Sequence, residues 1–124
     1  MDEHPNVKLV RKLDEAVSSS GNMEAAFEAL ADDVAWYEIG RAEPTVGRQA
    51  LGERFANIDY EVTTETHDVV GNDEHVVQLM TNTATRNGKT LEYRTAEIYH
   101  VKDGKITARW AFSDDTARII DFFA

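Results

Sequence analysis

The chain contains no cysteine, which excludes disulfides, thiol nucleophiles, zinc ribbons and iron–sulfur ligation together. Chemistry is left to carboxylates, histidines, hydroxyls and amides. Only two prolines occur, too few for a proline-rich or low-complexity chain. Apolar runs such as Ile119-Ile120 and Phe122 to Ala124 are a few residues long at most, against the ~20 residues needed to span a bilayer. No membrane helix is expected. The segment from Met1 to Val10 carries acids where a signal peptide needs basic and then apolar residues, so the cytoplasm is the expected compartment. Basic clusters are missing too. Thirteen Lys and Arg stand against 23 Asp and Glu, a net charge of −10, which repels nucleic acid and anionic lipid alike. Neither is an expected partner, and no glycine-rich phosphate loop is present.

What is there suits one compact domain, spanning 1–124. The 124 residues lie near the single-domain mode, and 42% hydrophobic content can fill one core. Apolar residues at Val7, Val10, Leu13 and Val17 mark a helix from Asn6 to about Ser19. Ser19-Ser20-Gly21 breaks it. Asn22 is the expected N-cap of a second helix, with Met23, Ala26, Phe27 and Leu30 as its apolar positions. A strand is expected over Val34–Ile39, then a loop through Gly40, Pro44 and Gly47, then a third helix from about Arg48 to Ala56 burying Leu51 and Phe55. From Tyr60 to Phe112 the composition predicts four antiparallel strands in a meander, with turns at Gly71-Asn72-Asp73, Asn87-Gly88 and Asp103-Gly104. Asp114 to Ala124 reads as a short terminal helix or ordered tail.

The two-residue turns fix which side chains share a face. Across Asp103-Gly104, an unbroken ladder sets Val101 against Ile106, Tyr99 against Ala108, Glu97 against Trp110, Thr95 against Phe112 and Tyr93 against Asp114. Across Asn87-Gly88 it adds Gln78, Met80 and Asn82 to that face. The opposite face carries Arg94, His100, Lys102, Lys105, Thr107, Arg109 and Ser113. The first face is mostly apolar yet holds Glu97 near its middle. Either Glu97 lines a ligand pocket, or a bulge shifts the register so that Glu97 meets solvent or pairs with Arg94 or Arg109. His4, His67, His75 and His100 lack the spacing of a metal site and read as surface residues, so no metal or other cofactor is expected.

Two stretches carry a family resemblance. ALADDVAWYEIGRAEPTVGRQALGERFA, from Ala29 to Ala56, and EYRTAEIYHVKDGKITARWAF, from Glu92 to Phe112, resemble the NTF2-like fold, within it the SnoaL-like polyketide cyclases and ketosteroid isomerases. The resemblance implies an α+β cone, three N-terminal helices on a curved, mixed but mainly antiparallel sheet. It also implies a catalytic pair. The isomerase base falls on Glu38, and the neutral acid that donates to the developing oxyanion falls on Glu97. The family's tyrosine on the first helix belongs near Leu13 or Asp14, where no tyrosine stands; Tyr93 or Tyr99 would supply a hydroxyl from the sheet instead.

With Glu38 facing the chamber, Trp36 faces it as well, and Tyr37 and Ile39 point away. The expected ligand-binding residues are therefore Trp36, Gln78, Met80, Asn82, Tyr93, Thr95, Trp110, Phe112 and Asp114. Asp114 and Asp115 read equally as N-terminal charges of the last helix. The expected function is cofactor-independent acid–base isomerisation or cyclisation of a small apolar carbonyl compound. The alternative is a non-catalytic ligand-binding or dimeric interaction module of the same fold. Relatives commonly dimerise through the outer sheet face, so a homodimer is expected there.

Overall fold

A computed structural model describes residues 3–18 and 23–124. Helix α1 spans Pro5–Ser18 and buries Val7, Val10, Leu13 and Ala16 along one stripe, while Val17 in its last turn is exposed. Asn22, the expected cap, the Ser19-Ser20-Gly21 break and the side chain of Met23 lie outside the described residues. Helix α2 is shorter than its apolar pattern predicts, ending at Glu28 (Met23–Glu28). Leu30 instead opens strand β1 (Leu30–Trp36). The reason is tertiary: Ile106 N–H donates to the Ala29 carbonyl at 2.9 Å, and the Arg48 guanidinium donates to the Leu30 carbonyl. Those bonds draw the chain into the sheet four residues before the expected start and take in Asp32 and Asp33. A two-residue strand, β2 (Thr45–Val46), interrupts the loop before helix α3 (Arg48–Ala56).

The meander follows as β3 (Glu61–Gly71), β4 (His75–Arg86), β5 (Lys89–Lys102) and β6 (Lys105–Ser113). Its two tight turns have positive φ at both central residues, Asn87 and Gly88, Asp103 and Gly104, the backbone that suits the twist of a two-residue hairpin. The third turn is held by Asn72, whose Oδ1 accepts from Glu74 N and His75 N at 2.9 Å each. The curved, mixed sheet has the order β2-β1-β6-β5-β4-β3, with β1 parallel to β6 and the other pairs antiparallel. Helix α4 (Thr116–Phe123) is capped by Asp115, which accepts from Arg118 N at 3.1 Å. The core lies between α1, α2, α3 and the concave sheet face, around Val10, Leu30, Val34, Leu51, Val76 and Ile106.

Register decides which side chains reach that face. Between β4 and β5 the ladder runs as the Asn87-Gly88 turn dictates, with Gln78 opposite Glu97, Met80 opposite Thr95 and Asn82 opposite Tyr93. Between β5 and β6 it does not. Val101 faces Ile106, but the next pair is His100 with Ala108, so Thr107 is an extra residue and a bulge. Past it, every β6 side chain changes face. Tyr99, Glu97 and Thr95 stand opposite Arg109, Ala111 and Ser113, not opposite Ala108, Trp110 and Phe112. The bulge lets Ala108 and Arg109 register with Ala35 and Trp36 of β1.

Helix α4 docks through a close approach. Gly40 sits at φ +79°, and a Cβ there would lie 2.6 Å from Ile120 Cγ1. Gly40→Ala is expected to lower stability by about 1–2 kcal/mol from the left-handed backbone alone, and by more from the contact with Ile120. In thermal melts, adding Ile120→Ala should recover the steric part and leave the backbone part.

Candidate functional site

The concave face of the β4–β5 hairpin carries a run of buried polar side chains, Gln78, Asn82, Thr95 and Glu97. Each is satisfied. Gln78 Nε2 donates to Thr66 Oγ1 at 3.0 Å, and its Oε1 accepts from the Tyr99 hydroxyl at 3.0 Å. Thr66 in turn donates to Asp14 of α1. Asn82 donates to Thr95 Oγ1 and accepts from Thr64, both at 2.9 Å. Burial pushes the Tyr99 hydroxyl well above its ordinary pKa, and Glu97 beside it adds to the effect. Tyr99 therefore stays a protonated donor.

Arg109 reaches this face because of the bulge. Its Nε and one terminal nitrogen donate to Glu97 Oε1 at 3.0 and 2.8 Å, and the other terminal nitrogen donates to the Tyr37 carbonyl at 3.0 Å. The guanidinium lies over the Trp36 ring, 4.6 Å from its centroid, a cation–π contact. Both partners are buried, with side chains 13% and 8% exposed. Burial works against the charge on Arg109, but Glu97, Tyr99 and Glu38 outweigh it and raise its pKa. The two oxygens of Glu97 are unequal. Oε1 takes both Arg109 donors and lies 3.3 Å from the Tyr99 hydroxyl, whereas among the described residues Oε2 has only Thr95 Oγ1 at 3.4 Å.

At the rim of the same face, Glu38 lies beyond the end of β1, in the turn closed by Arg41 N donating to the Glu38 carbonyl. Arg54 of α3 grips both its oxygens at 3.0 Å, and Arg41 adds a third donor at 3.1 Å. The Arg54 pKa is raised, chiefly by the hydrogen bond to Glu38. Trp36 packs edge-on against Phe55 at 5.8 Å. Tyr60 and Tyr93 both pack on Phe123 of α4, with centroids 4.6 and 6.5 Å apart, so the terminal helix lies against the aromatic side of the rim.

Of the residues expected in the chamber, Trp36, Gln78, Met80, Asn82, Tyr93, Thr95 and Glu97 share the concave side, with Glu38 at its edge. Trp110 and Phe112 lie on the opposite face. Trp110 stacks on Tyr37 at 5.0 Å and packs against His100, which meets His75. Phe112 is 56% exposed. Asp114 is at the sheet end, bonded through backbone and side chain to Arg94. Arg109 stands on the outer face in the unbroken ladder and faces inward here, which is the bulged alternative in which it pairs with Glu97. One signal pointed to it: a buried carboxylate needs a cation, and Arg109 is one residue from facing Glu97. Arg54, Tyr60 and Phe123 carried no such signal, since long-range docking places them. Among the described residues no group of three or more His, Asp or Glu is arranged to hold a metal ion, and no helix is long and apolar enough to cross a membrane.

Chemically, the face presents a rigid carboxylate with one lightly used oxygen and several protonated hydroxyls beside apolar rings. Solved structures share the architecture. An NTF2-like protein of unknown function from Burkholderia pseudomallei K96243 superposes with a TM-score of 0.86 at 20% identity, covering 98% of each chain. A provisionally assigned SnoaL-like polyketide cyclase from Jannaschia sp. CCS1 gives 0.84 at 13% identity, over 99% of this chain and 96% of that one. An LEH-like epoxide hydrolase from Mycobacterium tuberculosis gives 0.74 at 18% identity, over 89% and 83%. At these identities the likeness is one of fold. No curated protein matches the sequence. The SnoaL-like domain matches residues 10–109, most of the chain, and the protein belongs to that family.

Proposed function

We propose that this protein binds a small, largely apolar carbonyl compound against the concave face and moves a proton on it without a cofactor, as an isomerase or cyclase does. The carrying observation is the inequality of the Glu97 oxygens. Arg109 fixes the carboxylate through Oε1, which leaves Oε2 directed away from the ion pair with a single long contact. A base for carbon acids needs that combination of fixed position and a free lone pair in a dry site. Glu38 is less suited, because Arg54 and Arg41 occupy both its oxygens. The geometry therefore favours Glu97 as the base, and Glu38 as the group that orients Arg54 at the rim. Gln78, Asn82 and Thr95 hold the Glu97 neighbourhood in place, while Trp36, Met80 and Tyr93 supply apolar surface. The relatives include a provisionally assigned polyketide cyclase and an epoxide hydrolase, both acting on small organic molecules by name. The proposed compartment is the cytoplasm, in keeping with the absence of cysteine.

The outer face supports a homodimer. Trp110, Ile98, Val77 and Val70 form one row across four strands, and Phe112, Ala96 and Leu79 the next. Val70, Leu79 and Phe112 are 51%, 43% and 56% exposed, a patch that calls for a partner. Its carboxylate, Asp68, ends the second row at the β3 edge. For a chain of charge −10, a second copy can pack on these two apolar rows, while Glu65 and Glu92 stand further along the face. Arg94 and His100 of the expected contact stay on this side, whereas Arg109 faces inward.

Two measurements test these readings. For 2-tetralone in D2O followed by NMR, the protein should accelerate exchange of the α-protons over buffer. Glu97→Gln should reduce that acceleration by about 100-fold or more, and Glu38→Gln by less than about tenfold, in variants shown folded by circular dichroism. Binding of 2-tetralone with exchange at the buffer rate would leave a ligand-binding module and no catalyst. For the dimer, light scattering should give twice the 13.9 kDa chain mass, and Leu79→Asp should halve it. A wild-type mass of one chain at roughly 100 μM, far above the Kd of a stable dimer, would remove the dimer.

A further inference from the structure

Glu97 is flanked on β5 by Thr95 and Tyr99, and each of these hydroxyls heads a series of the same make-up across the sheet: a β5 hydroxyl, a β4 amide, a β3 threonine. The first is Thr95, Asn82 and Thr64, and the second is Tyr99, Gln78 and Thr66. Their protons run in opposite directions. Thr64 donates to Asn82, Asn82 to Thr95 and Thr95 to Glu97 Oε2, so the first series ends on Glu97. Tyr99 donates to Gln78 at 3.0 Å, Gln78 to Thr66 at 3.0 Å and Thr66 to Asp14 Oδ2 of α1 at 3.1 Å. The second series therefore runs away from Glu97 and ends on Asp14.

A hydroxyl has one proton to give, and an amide has a donor end and an acceptor end, so no member of such a series turns unless all do. Tyr99 always has its proton, because burial first, then Glu97, with Asp14 adding and Arg109 opposing, holds its hydroxyl well above the ordinary value. Two arrangements of the second series satisfy its members. In the reverse of the observed one, Thr66 would donate to Gln78, Gln78 to Tyr99, and Tyr99 to Glu97 Oε1, which already lies 3.3 Å away. That would give this oxygen a third donor and take from Asp14 the Thr66 hydroxyl. The carboxylate receiving the last proton separates the two, since a hydrogen bond to a charged acceptor is the stronger kind. Among the described residues no carboxylate accepts from Thr64, and the first series runs to Glu97 accordingly. The second has a carboxylate at each end. Glu97 is already paired with Arg109, whereas Asp14 has Thr66 as its one side-chain donor among the described residues.

We propose that Asp14 is a positioning residue that sets the direction of this series: by taking the Thr66 proton it turns the Gln78 amide, which draws the Tyr99 proton off Glu97. The consequence for chemistry rests on the acid–base reading above. Glu97 then meets a substrate with one donor fewer, and a carboxylate with fewer donors is the stronger base. Helix α1, which touches Glu97 nowhere, thus acts on it through three side chains of the sheet.

The test follows the Tyr99 ring carbon that bears the hydroxyl, by carbon NMR of ring-labelled tyrosine, with the signal assigned by its loss in Tyr99→Phe. Giving the proton to a carboxylate in place of an amide moves that signal downfield. Asp14→Ala removes the terminal acceptor, and Thr66→Val cuts the series while keeping the Asp14 charge. Both variants, shown folded by circular dichroism, should move the signal downfield. Asp14→Asn, whose amide oxygen still accepts from Thr66, should leave it at the wild-type position. A signal unmoved in either Asp14→Ala or Thr66→Val overturns the proposal. A shift in Asp14→Asn as large as in Asp14→Ala assigns the effect to charge and overturns it too. None of these outcomes depends on catalysis. In the 2-tetralone exchange at saturation, Asp14→Ala and Thr66→Val should be slower by roughly three- to tenfold, with the Kd of the ketone unchanged. A wild type that exchanges nothing removes the acid–base reading alone, because the Tyr99 signal still decides the direction of the series.

Discussion

The Glu97–Arg109 pair is the constraint around which the concave face is arranged. Taking a carboxylate and a guanidinium out of water costs several kcal/mol for each ion, and their attraction repays this only with good geometry and further hydrogen bonds. Here the further bonds are present: the Tyr37 carbonyl on one side, the Tyr99 and Thr95 hydroxyls on the other, and Trp36 beneath the guanidinium. Removing either partner would leave an unanswered buried charge. Replacing such a pair by apolar residues of similar volume is often neutral or stabilising, so its presence does not by itself argue for net stability.

The β6 bulge is what delivers the pair, and its effect is felt on both faces. One extra residue at Thr107 turns Arg109 inward and Trp110 and Phe112 outward. The concave side gains the cation that Glu97 requires. The convex side gains two large apolar rings, one stacked between Tyr37 and His100 and the other open to solvent. A single local irregularity thus couples the buried ion pair of the concave face to the outward apolar patch, and neither would survive in a regular hairpin.

Much of this fold is legible in the sequence, for reasons that are local. Asn87-Gly88 and Asp103-Gly104 require positive φ and therefore specify their own turns, and the β4–β5 register follows from the first of them without error. The third helix is bounded as its pattern predicts, Arg48–Ala56. What is not legible is set from a distance. The start of β1 depends on a backbone bond from Ile106 and on the side chain of Arg48, both far from it in sequence. The bulge depends on the parallel register of β6 with Ala35 and Trp36, which no hairpin rule contains. Glu97 was visible as an anomaly and Arg109 as one of two partners that a bulge could bring to it, but the choice between the registers hangs on one inserted residue that no local pattern places.

Charge balance would have located that residue. A regular ladder buries Glu97 opposite Trp110, a carboxylate with no donor stronger than a hydroxyl, and puts Arg109 in solvent one position away. The energy of that arrangement exceeds the modest cost of one unpaired backbone step at a bulge. Slipping β6 by one residue satisfies Glu97, buries no new unpaired group, and exposes only apolar side chains that another surface can cover. In a sheet of this kind a lone inward carboxylate therefore argues for a bulge on the neighbouring strand wherever a basic residue stands one position out of register. The same comparison explains why Glu38 sits in a loop: beyond β1 the backbone is free to turn, and the carboxylate reaches Arg41 and Arg54 at the rim without any ladder having to break.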